Sequence, residues 1–399
     1  MHESVIFRTF IYLLAVNIIL RALLRYTYIM KDSNLLREIE PSLEQAYDEH
    51  MQSIASKQDG LPDKRPFSPM EQLARSANTG PDPLEYGVVL REDYNAHVSV
   101  FAEKYAIDIR AIMGASFLVN LLTEDNLPHY TSRIHSKVHE SPALSAFANE
   151  WTAEEDTHGV IMRDYALLSG MIGENELSAI SQSSYHQGRV QQLRTGTEID
   201  PQDLQVAFSY LTLQEHLTKE AHKKEGWILP PTGRKIMNPV AGDEQNHYEF
   251  YRKASQASLD VDPDGTLTAM NRVYKEFSMP GRLGIPNFDK LALIIGLSGI
   301  FDLETIAQSM QTFAKKLNIA NATPKTDEGK DAKESLLART SNEAVSEQRI
   351  LMESLRDQQP TSTYNGLAPF VLGKTVEYTY KGHSNHKRPT GIIPIRTRQ

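Results

Sequence analysis

The motif Glu-x-x-His occurs twice in the chain, at Glu155–His158 and at Glu244–His247. Residues three apart share one face of an α-helix, so each motif can direct a carboxylate and an imidazole at one point. A single copy is a weak signal, because chance copies are common and are usually surface pairs. Oxygen and nitrogen donors of this kind are ligands for a metal ion.

Both motifs interrupt apolar stripes that repeat at helical spacing and should therefore face a core. Two other stripes of the same kind also include a Glu. The four stripes are Phe147, Trp151, Glu155, His158, Met162 and Tyr165; Val240, Glu244, His247, Tyr251 and Ala254; Leu204, Phe208, Leu211, Glu215 and Thr218; and Met113, Phe117, Leu121 and Glu124. An unpaired buried carboxylate is costly, so these positions predict a bound cation.

One Glu from each of two helices and Glu-x-x-His from each of two others is the arrangement by which a helical bundle binds two iron or manganese ions. The four negative charges of the carboxylates balance the four positive charges of two divalent ions. The competing interpretation, buried salt bridges to Arg or Lys, needs several basic residues on facing stripes, and we find none. Because alternating Val- and Ile-rich runs are scarce, the predicted fold is all-α, with a ferritin-like di-iron four-helix bundle core and flanking helices.

Composition limits the function further. The 399 residues include no cysteine, which excludes disulfides, thiolate zinc sites and iron–sulfur clusters held by this chain. Electrons for redox chemistry must therefore come from another protein. The net charge of −9 gives no overall basic field to gather nucleic acid.

Composition also predicts five segments. These are an apolar extension at 1–30, a polar arm at 31–95 whose prolines break any long helix, the metal-binding domain at 96–320, an exposed linker at 321–333, and a C-terminal helix with a basic tail at 334–399. Within the extension, residues 5–24 are largely apolar. They are either part of an upstream extension with Met30 as the working start, or a targeting or membrane-associating segment.

Four stretches resemble the soluble acyl-acyl-carrier-protein desaturases, a family with plant plastid and bacterial members. They are LLTEDNLPHY (121–130), WTAEEDTHG (151–159), LQEHLT (213–218) and GDEQNHYEFY (242–251), within a similarity that spans about 95–320. The resemblance implies six iron ligands, with Glu155 and Glu244 bridging. These are Glu124, Glu155, His158, Glu215, Glu244 and His247.

The resemblance also suggests roles around the metals. Thr218 would handle protons during oxygen activation, although a helical Thr can equally bond its own backbone. Asp243 would accept a hydrogen bond from a ligand imidazole. Trp151 is a core residue or a participant in electron transfer. The plant members have Arg where this chain has Thr157 and Asn246, and they have an early Trp that is absent here.

The implied activity is O2-dependent insertion of a cis double bond into an acyl chain on acyl carrier protein, as part of fatty acid biosynthesis. It implies two iron ions per chain, a ferredoxin-type electron donor, a homodimer, and a cytoplasmic or plastid location. Lys219, Lys223, Lys224, Arg234 and Lys235, with Arg189 and Arg194, would form the patch for the acidic carrier. The alternatives are another di-iron oxidase or hydroxylase of a hydrophobic substrate, a ferritin-like iron-binding protein, and an inactive homologue.

Overall fold

The computed structural model describes residues 32–56, 68–105, 109–128, 131, 140–195, 203–279, 282, 284–358, 375–378 and 391–394. The predicted all-α class is confirmed, with one short antiparallel strand pair near the C-terminus. The elements are α1 (32–56), α2 (Pro69–Ala77), α3 (Pro83–Tyr105), α4 (Arg110–Asp125), α5 (Pro142–Ser169), α6 (Glu174–Thr195), α7 (Leu204–Ile228), α8 (Pro231–Val261), α9 (Pro263–Glu276), α10 (Phe288–Ser298), α11 (Leu303–Lys316), a 3-10 turn (Ile319–Asn321), α12 (Asp327–Arg339), α13 (Asn342–Gln358), β1 (Thr375–Tyr378) and β2 (Gly391–Pro394).

Four helices, α4, α5, α7 and α8, form the bundle that carries the predicted ligands. Helix α7 packs along α8, α4 packs on α5, and the contacts α5–α8 and α4–α7 close the bundle. Each of these helices buries the stripe on which its ligands lie. The Glu and His side chains therefore enter the interior from four sides.

Local signals in the sequence fix where the ligand helices begin. The Ser141 hydroxyl accepts a hydrogen bond from the Leu144 amide at 3.1 Å, and Pro142 follows in the first turn of α5. The Asp203 carboxylate caps α7 by accepting from the amides of Gln205 and Val206. Helix α5 ends at Gly170, whose φ of 73° suits a residue without a Cβ.

The turn between α7 and α8 contains only Leu229 and Pro230, which makes the two helices antiparallel neighbours. A buried carboxylate from α3 supports this turn. Asp93 Oδ2 accepts hydrogen bonds from Thr232, at 3.0 Å from the amide and 2.6 Å from the hydroxyl. Because α7 and α8 are joined so tightly, Glu215 and Glu244 have a fixed relative height in the bundle.

Two apolar clusters lie on either side of the ligand level. On α5, Phe147 and Trp151 belong to one cluster, whereas Met162 and Tyr165 belong to the other. The ligand level, with Glu155 on this helix, lies between them. The predicted ligands thus form a polar layer inside an otherwise apolar interior, where water is excluded and charge is expensive.

The polar arm predicted at 31–95, in which prolines would break any long helix, is largely helical in the described residues. Residues 32–56 form one helix despite Pro41, and their buried positions Leu35, Ile39 and Leu43 belong to the same core cluster as Trp151. Two of the other prolines, at 69 and 83, begin helices, where the missing amide hydrogen costs nothing. The boundary predicted at residue 95 falls inside α3.

The predicted linker at 321–333 is also wrong, because most of it is ordered against α9. Asp264 accepts hydrogen bonds from the amides of Lys325 and Thr326 and from the Thr326 hydroxyl. The Thr326 hydroxyl in turn caps α12, which buries Ala332 and Leu336. The segment is polar because only one narrow face of its helix is covered.

The C-terminal prediction is partly corrected. The single helix expected within residues 334–399 is two helices, α12, which already begins at Asp327, and α13; they are separated at Thr340 and Ser341. In the tail, β1 pairs antiparallel with β2, with Thr375 opposite Pro394; the rest of the tail lies outside the described residues. So does the apolar segment 5–24.

A search of the described residues for membrane spans found no single helix of sufficient length and apolarity. One pair, α10 and α11, meets that test only together and is bent by 77°.

Candidate metal centre

All six side chains predicted as ligands are buried and meet at one level of the bundle. The donor atoms of four of them lie within 4.8 Å of one another. These are Glu155, Glu215, Glu244 and His247. A second group, with the same spacing, joins Glu124 and His158 to Glu155. The two groups share Glu155, which is the arrangement expected of two adjoining cation sites.

The two imidazoles face the shared carboxylates. His247 Nδ1 lies 3.1 Å from Glu155 Oε1 and 3.6 Å from Glu215 Oε2. His158 Nδ1 lies 3.4 Å from Glu155 Oε2 and 3.5 Å from Glu244 Oε1. Glu155 and Glu244 thus approach both rings, as the resemblance implies for bridging groups.

Each of the two predicted ligand imidazoles contacts an outer carboxylate through its other nitrogen. His158 Nε2 lies 3.4 Å from Asp243 Oδ2, the contact predicted for Asp243, and His247 Nε2 lies 2.7 Å from Glu154 Oε2. Metal-bound histidines usually donate their second N–H in this way. The sequence analysis missed Glu154. Its signal is that an acidic residue precedes Glu in both Glu-x-x-His motifs.

The donor set fits a pair of divalent cations. When each Nε2–H donates to its outer carboxylate, the Nδ1 lone pair of the same ring points at carboxylate oxygens. Neither of these Nδ1 atoms, nor either oxygen of Glu215 or Glu244, has a hydrogen-bond partner among the described residues. Acceptors that converge in a buried space repel one another unless a cation lies between them.

A third imidazole, which the sequence analysis missed, also reaches this layer. His222 is fully buried on α7, and its Nε2 lies 3.6 Å from Glu244 Oε1 and 3.7 Å from Glu124 Oε1. The signal was available, because the stripe that ends at Glu215 and Thr218 continues in steps of four and three to His222 and Glu225.

The electrostatics show how crowded the negative charge is. Burial, followed by the charge of a nearby carboxylate, raises the pKa of Glu124 and of Glu215. Burial and the Glu244 charge act in the same sense on Glu155, but contacts with two imidazoles outweigh them and lower the pKa of Glu155 to about 2. Without a cation, protons must therefore occupy part of this cluster.

Three other positions singled out in the sequence, Thr218, Trp151 and Thr157, contact their own helix or the apolar core. The Thr218 hydroxyl donates to the Gln214 carbonyl at 3.0 Å, so in this structure it bonds its own helix; its role with protons stays a prediction. Trp151 is buried, with its ring centroid 6.5 Å from that of His247. Thr157 bonds the Ala153 carbonyl.

A family model described as fatty acid desaturase matches residues 31–364. The chain belongs to the fatty acid desaturase family. The predicted resemblance is thereby confirmed, and the match is longer than the span of about 95–320 recognised in the sequence. It includes α1, the segment 321–333 and the two C-terminal helices.

Two relatives and one solved structure are similar to this chain. The chain is 25% identical over 274 residues to the protein assigned as acyl-acyl-carrier-protein desaturase DesA1 of Mycobacterium tuberculosis, covering 68% of this chain and 74% of that one. It is 26% identical over 238 residues to the seed-specific chloroplastic stearoyl-acyl-carrier-protein 9-desaturase of Brassica napus, covering 55% and 58%. The X-ray structure assigned to DesA2 of Mycobacterium tuberculosis aligns with a TM-score of 0.47 at 15% identity, covering 75% of this chain and 99% of that one.

Proposed function

We propose that this fatty acid desaturase is an acyl-acyl-carrier-protein desaturase. The reaction removes two hydrogens from adjacent methylenes of a saturated acyl chain and leaves a cis double bond. One O2 takes up these two hydrogens with two electrons and two protons from outside, and two waters are released. The chain would be an oxidoreductase that acts on an acyl group presented by its carrier protein.

The observation that carries the proposal is the convergence of four buried carboxylates and two imidazoles from four helices. In the proposed enzyme they hold two iron ions, and bound iron would supply the oxygen activation that no side chain can perform. The ligands are Glu124, Glu155, His158, Glu215, Glu244 and His247.

The protein's own residues would orient the metal ligands and exclude water from the reacting carbons. Asp243 and Glu154 orient the two ligand imidazoles through contacts at 3.4 and 2.7 Å. The apolar clusters above and below the layer keep water from the reacting carbons. Thr218, one turn after Glu215, would pass protons toward the centre when its hydroxyl turns away from the Gln214 carbonyl.

The carrier patch predicted from sequence needs revision. Lys224 donates to the Gly299 carbonyl and the Thr305 hydroxyl, and Arg234 donates to two carbonyls at the end of α7. Lys219 bonds Gln245. Of the five lysines and arginines from 219 to 235, Lys223 and Lys235 are exposed, and Lys235 also donates to the Ser76 carbonyl at 3.1 Å. We propose these two as the contact for the acidic carrier.

The test is turnover of iron-loaded protein with stearoyl- and palmitoyl-acyl carrier protein, O2, ferredoxin, ferredoxin reductase and NADPH, read by mass spectrometry of the released fatty acids. We expect a monounsaturated product that Glu155→Ala abolishes. The exposed neighbour Asp156 provides the matched control, because Asp156→Ala should leave turnover unchanged.

Two results would redirect the proposal. A hydroxylated product would assign the chain to a di-iron hydroxylase. Two bound irons per chain without any acyl product would contradict desaturation of these substrates and favour an iron-binding role. A ferredoxin-type donor and a homodimer complete the proposal; omission of ferredoxin and measurement of mass in solution test them in the same preparation.

A further inference from the structure

Glu124 differs from the other predicted carboxylate ligands in its place on its helix. It is the next-to-last residue of α4, which ends at Asp125, whereas Glu155, Glu215 and Glu244 lie in the middle of α5, α7 and α8. The last turn of a helix has carbonyls without intrahelical partners and opens more easily than the interior. A ligand at this place needs contacts outside its own helix to keep its position.

The residue that follows Glu124 makes the first of these contacts. Asp125 Oδ2 accepts hydrogen bonds from the Arg163 guanidinium on α5 and from the Ser181 hydroxyl on α6, the latter at 3.0 Å. Arg163 also donates to Ser181 Oγ at 3.3 Å. Hydrogen bonds between charged groups are stronger than those between neutral ones, so this network joins α4, α5 and α6 firmly beside Glu124.

The next residue, Asn126, makes a second contact with α6. Its buried side chain donates through Nδ2 to the Leu122 carbonyl at 2.8 Å and to Ser184 Oγ at 3.0 Å. The first bond satisfies a carbonyl in the last turn of α4, and the second ties the same amide to α6. Because Ser181 and Ser184 are three residues apart, one face of α6 holds both residues that follow Glu124.

Helix α5 lies directly against Glu124 on the other side. A Cβ placed on Gly159 would lie 3.5 Å from Glu124 Cβ, and Gly159 follows the ligand His158. Arg163 is one turn further along the same helix. A shift of the end of α4 would therefore change the distance from Glu124 to His158, while the donor group on the other side of the centre, which includes no residue of α4, would keep its spacing.

We propose that the contacts around the end of α4 position Glu124 for the ion on its side of the centre. The inference rests on the proposed metal centre and deepens it, because the six ligands are unchanged and the two ions depend unequally on α6. The residues that make these contacts are called the α4 clamp, and they are Asp125, Asn126, Arg163, Ser181 and Ser184.

The test measures metal binding rather than turnover. Metal-free protein is titrated with Co²⁺, and the two dissociation constants and the visible absorption spectrum are recorded for the parent, Arg163→Ala, Arg163→Lys and Ser181→Ala. Arg252→Ala is one matched control, since Arg252 also forms a part-buried ion pair on a ligand helix, with Glu249 of α8. Ser183→Ala is the other, because Ser183 bonds Gln187 within α6. Circular dichroism checks that each variant is folded.

We expect Arg163→Ala to weaken one of the two sites by about tenfold or more and to change its absorption, with the other site unchanged. Ser181→Ala should weaken the same site by a smaller factor. Arg163→Lys should recover part of the loss, because lysine keeps the charge but not the planar fork of donors. Both control variants should bind as the parent does.

Three results would overturn the inference or its basis. If Arg163→Ala binds both ions with the parent's constants, the α4 clamp does not position Glu124. If it weakens both sites equally, the effect is a general loss of structure, and the inference is again wrong. If the parent binds no metal, the proposed function itself fails.

Discussion

At the scale of single residues, buried carboxylates are concentrated in one layer of the bundle, where their charges are unfavourable. Four glutamates lie within one buried layer of the bundle, and the side chains of Asp243, Glu154 and Glu225 stand behind the imidazoles. Burying even one unpaired carboxylate costs several kcal/mol. The cations that we propose would offset this cost, and the outer carboxylates of Asp243 and Glu154 would orient the ligand histidines.

A buried histidine outside the metal layer gives a pH-dependent prediction. His97 on α3 is fully buried, and its Nε2 contacts the Ile228 carbonyl at 2.9 Å. Burial lowers its pKa to about 4 from an ordinary value of 6.5. Because protonation then favours the unfolded chain, this contribution to stability is complete above pH 6.5 and is lost as the pH falls toward 4.

The measurement is urea unfolding of the parent and of His97→Gln between pH 7 and pH 4. The drop in unfolding free energy should be smaller in His97→Gln, by up to roughly 3 kcal/mol for a shift of this size. His186→Gln, at an exposed position of α6, is the control and should follow the parent. Parallel curves for the parent and His97→Gln would contradict the prediction.

Sequence reasoning predicted that the residues of the repeated motif share inward helix faces, and the structure brings these residues together. Helical spacing alone places Glu155 with His158, and Glu244 with His247, on inward faces, because three residues make nearly one turn. The reasoning stopped too early on α7, where His222 continues the same stripe. Glu154 precedes Glu155 as Asp243 precedes Glu244, so an outer carboxylate at this position was visible in the sequence. Which imidazole it contacts was not, because that contact joins two helices.

At the scale of elements, two helices were predicted as a linker and an arm because their residues are mostly polar. Helix α12 reads as a linker because it is short and highly polar, yet its Thr326 cap and the buried Ala332 and Leu336 hold it against α9 and α11. Residues 32–56 contain a proline and many charges, but apolar residues at helical spacing fill one face. A narrow apolar stripe suffices when a partner helix covers it.

Helix α13 is held by one buried ion pair, which gives a prediction at this scale. The Arg356 guanidinium donates to Asp302 Oδ2 at 2.5 Å and to the carbonyls of Leu297 and Gly296 at the end of α10. Removing one partner of a buried pair leaves the other unpaired, at a cost of about 3–5 kcal/mol. Arg356→Ala should therefore lower the unfolding free energy by about this amount.

The same helix offers the control. Arg349 is exposed two turns earlier on α13, so Arg349→Ala should change the unfolding free energy by less than about 0.5 kcal/mol. Chemical denaturation measures both, and hydrogen exchange should show faster exchange of α13 amides in Arg356→Ala alone. Equal, small effects of the two substitutions would mean that packing of α13, and not this ion pair, holds the C-terminal helices.

At the scale of the whole molecule, net charge would influence how the proposed carrier protein binds. The chain has a net charge of −9, and acyl carrier protein is acidic, so the two repel each other at long range. Productive contact then depends on a local cluster of exposed cations, whose effect is greatest at low ionic strength. Lys223 near the end of α7 and Lys235 near the start of α8 satisfy this requirement.

Reversing both charges tests that site at two exposed positions. Because Lys235→Glu also removes the hydrogen bond to the Ser76 carbonyl, circular dichroism must show that the double variant is folded. Lys223→Glu with Lys235→Glu should raise the KM for acyl-acyl carrier protein by on the order of tenfold at low salt, with little change in kcat, because each exposed charge contributes about 0.2–1 kcal/mol. Steady-state kinetics at two salt concentrations measures the effect, which should shrink at high salt.

The matched control is Lys275→Glu with Lys330→Glu, which changes the net charge equally on exposed positions of α9 and α12. If both double variants raise the KM equally, binding of the carrier depends only on the net charge of the protein, and the local contact is disproved. If the Lys223 and Lys235 variant alone raises KM, the carrier meets the protein beside the turn that joins α7 to α8. Along α7 and α8 that turn is roughly 20 Å from Glu215 and from Glu244, so the acyl chain would enter at the end of the bundle and extend along it to the ligand layer.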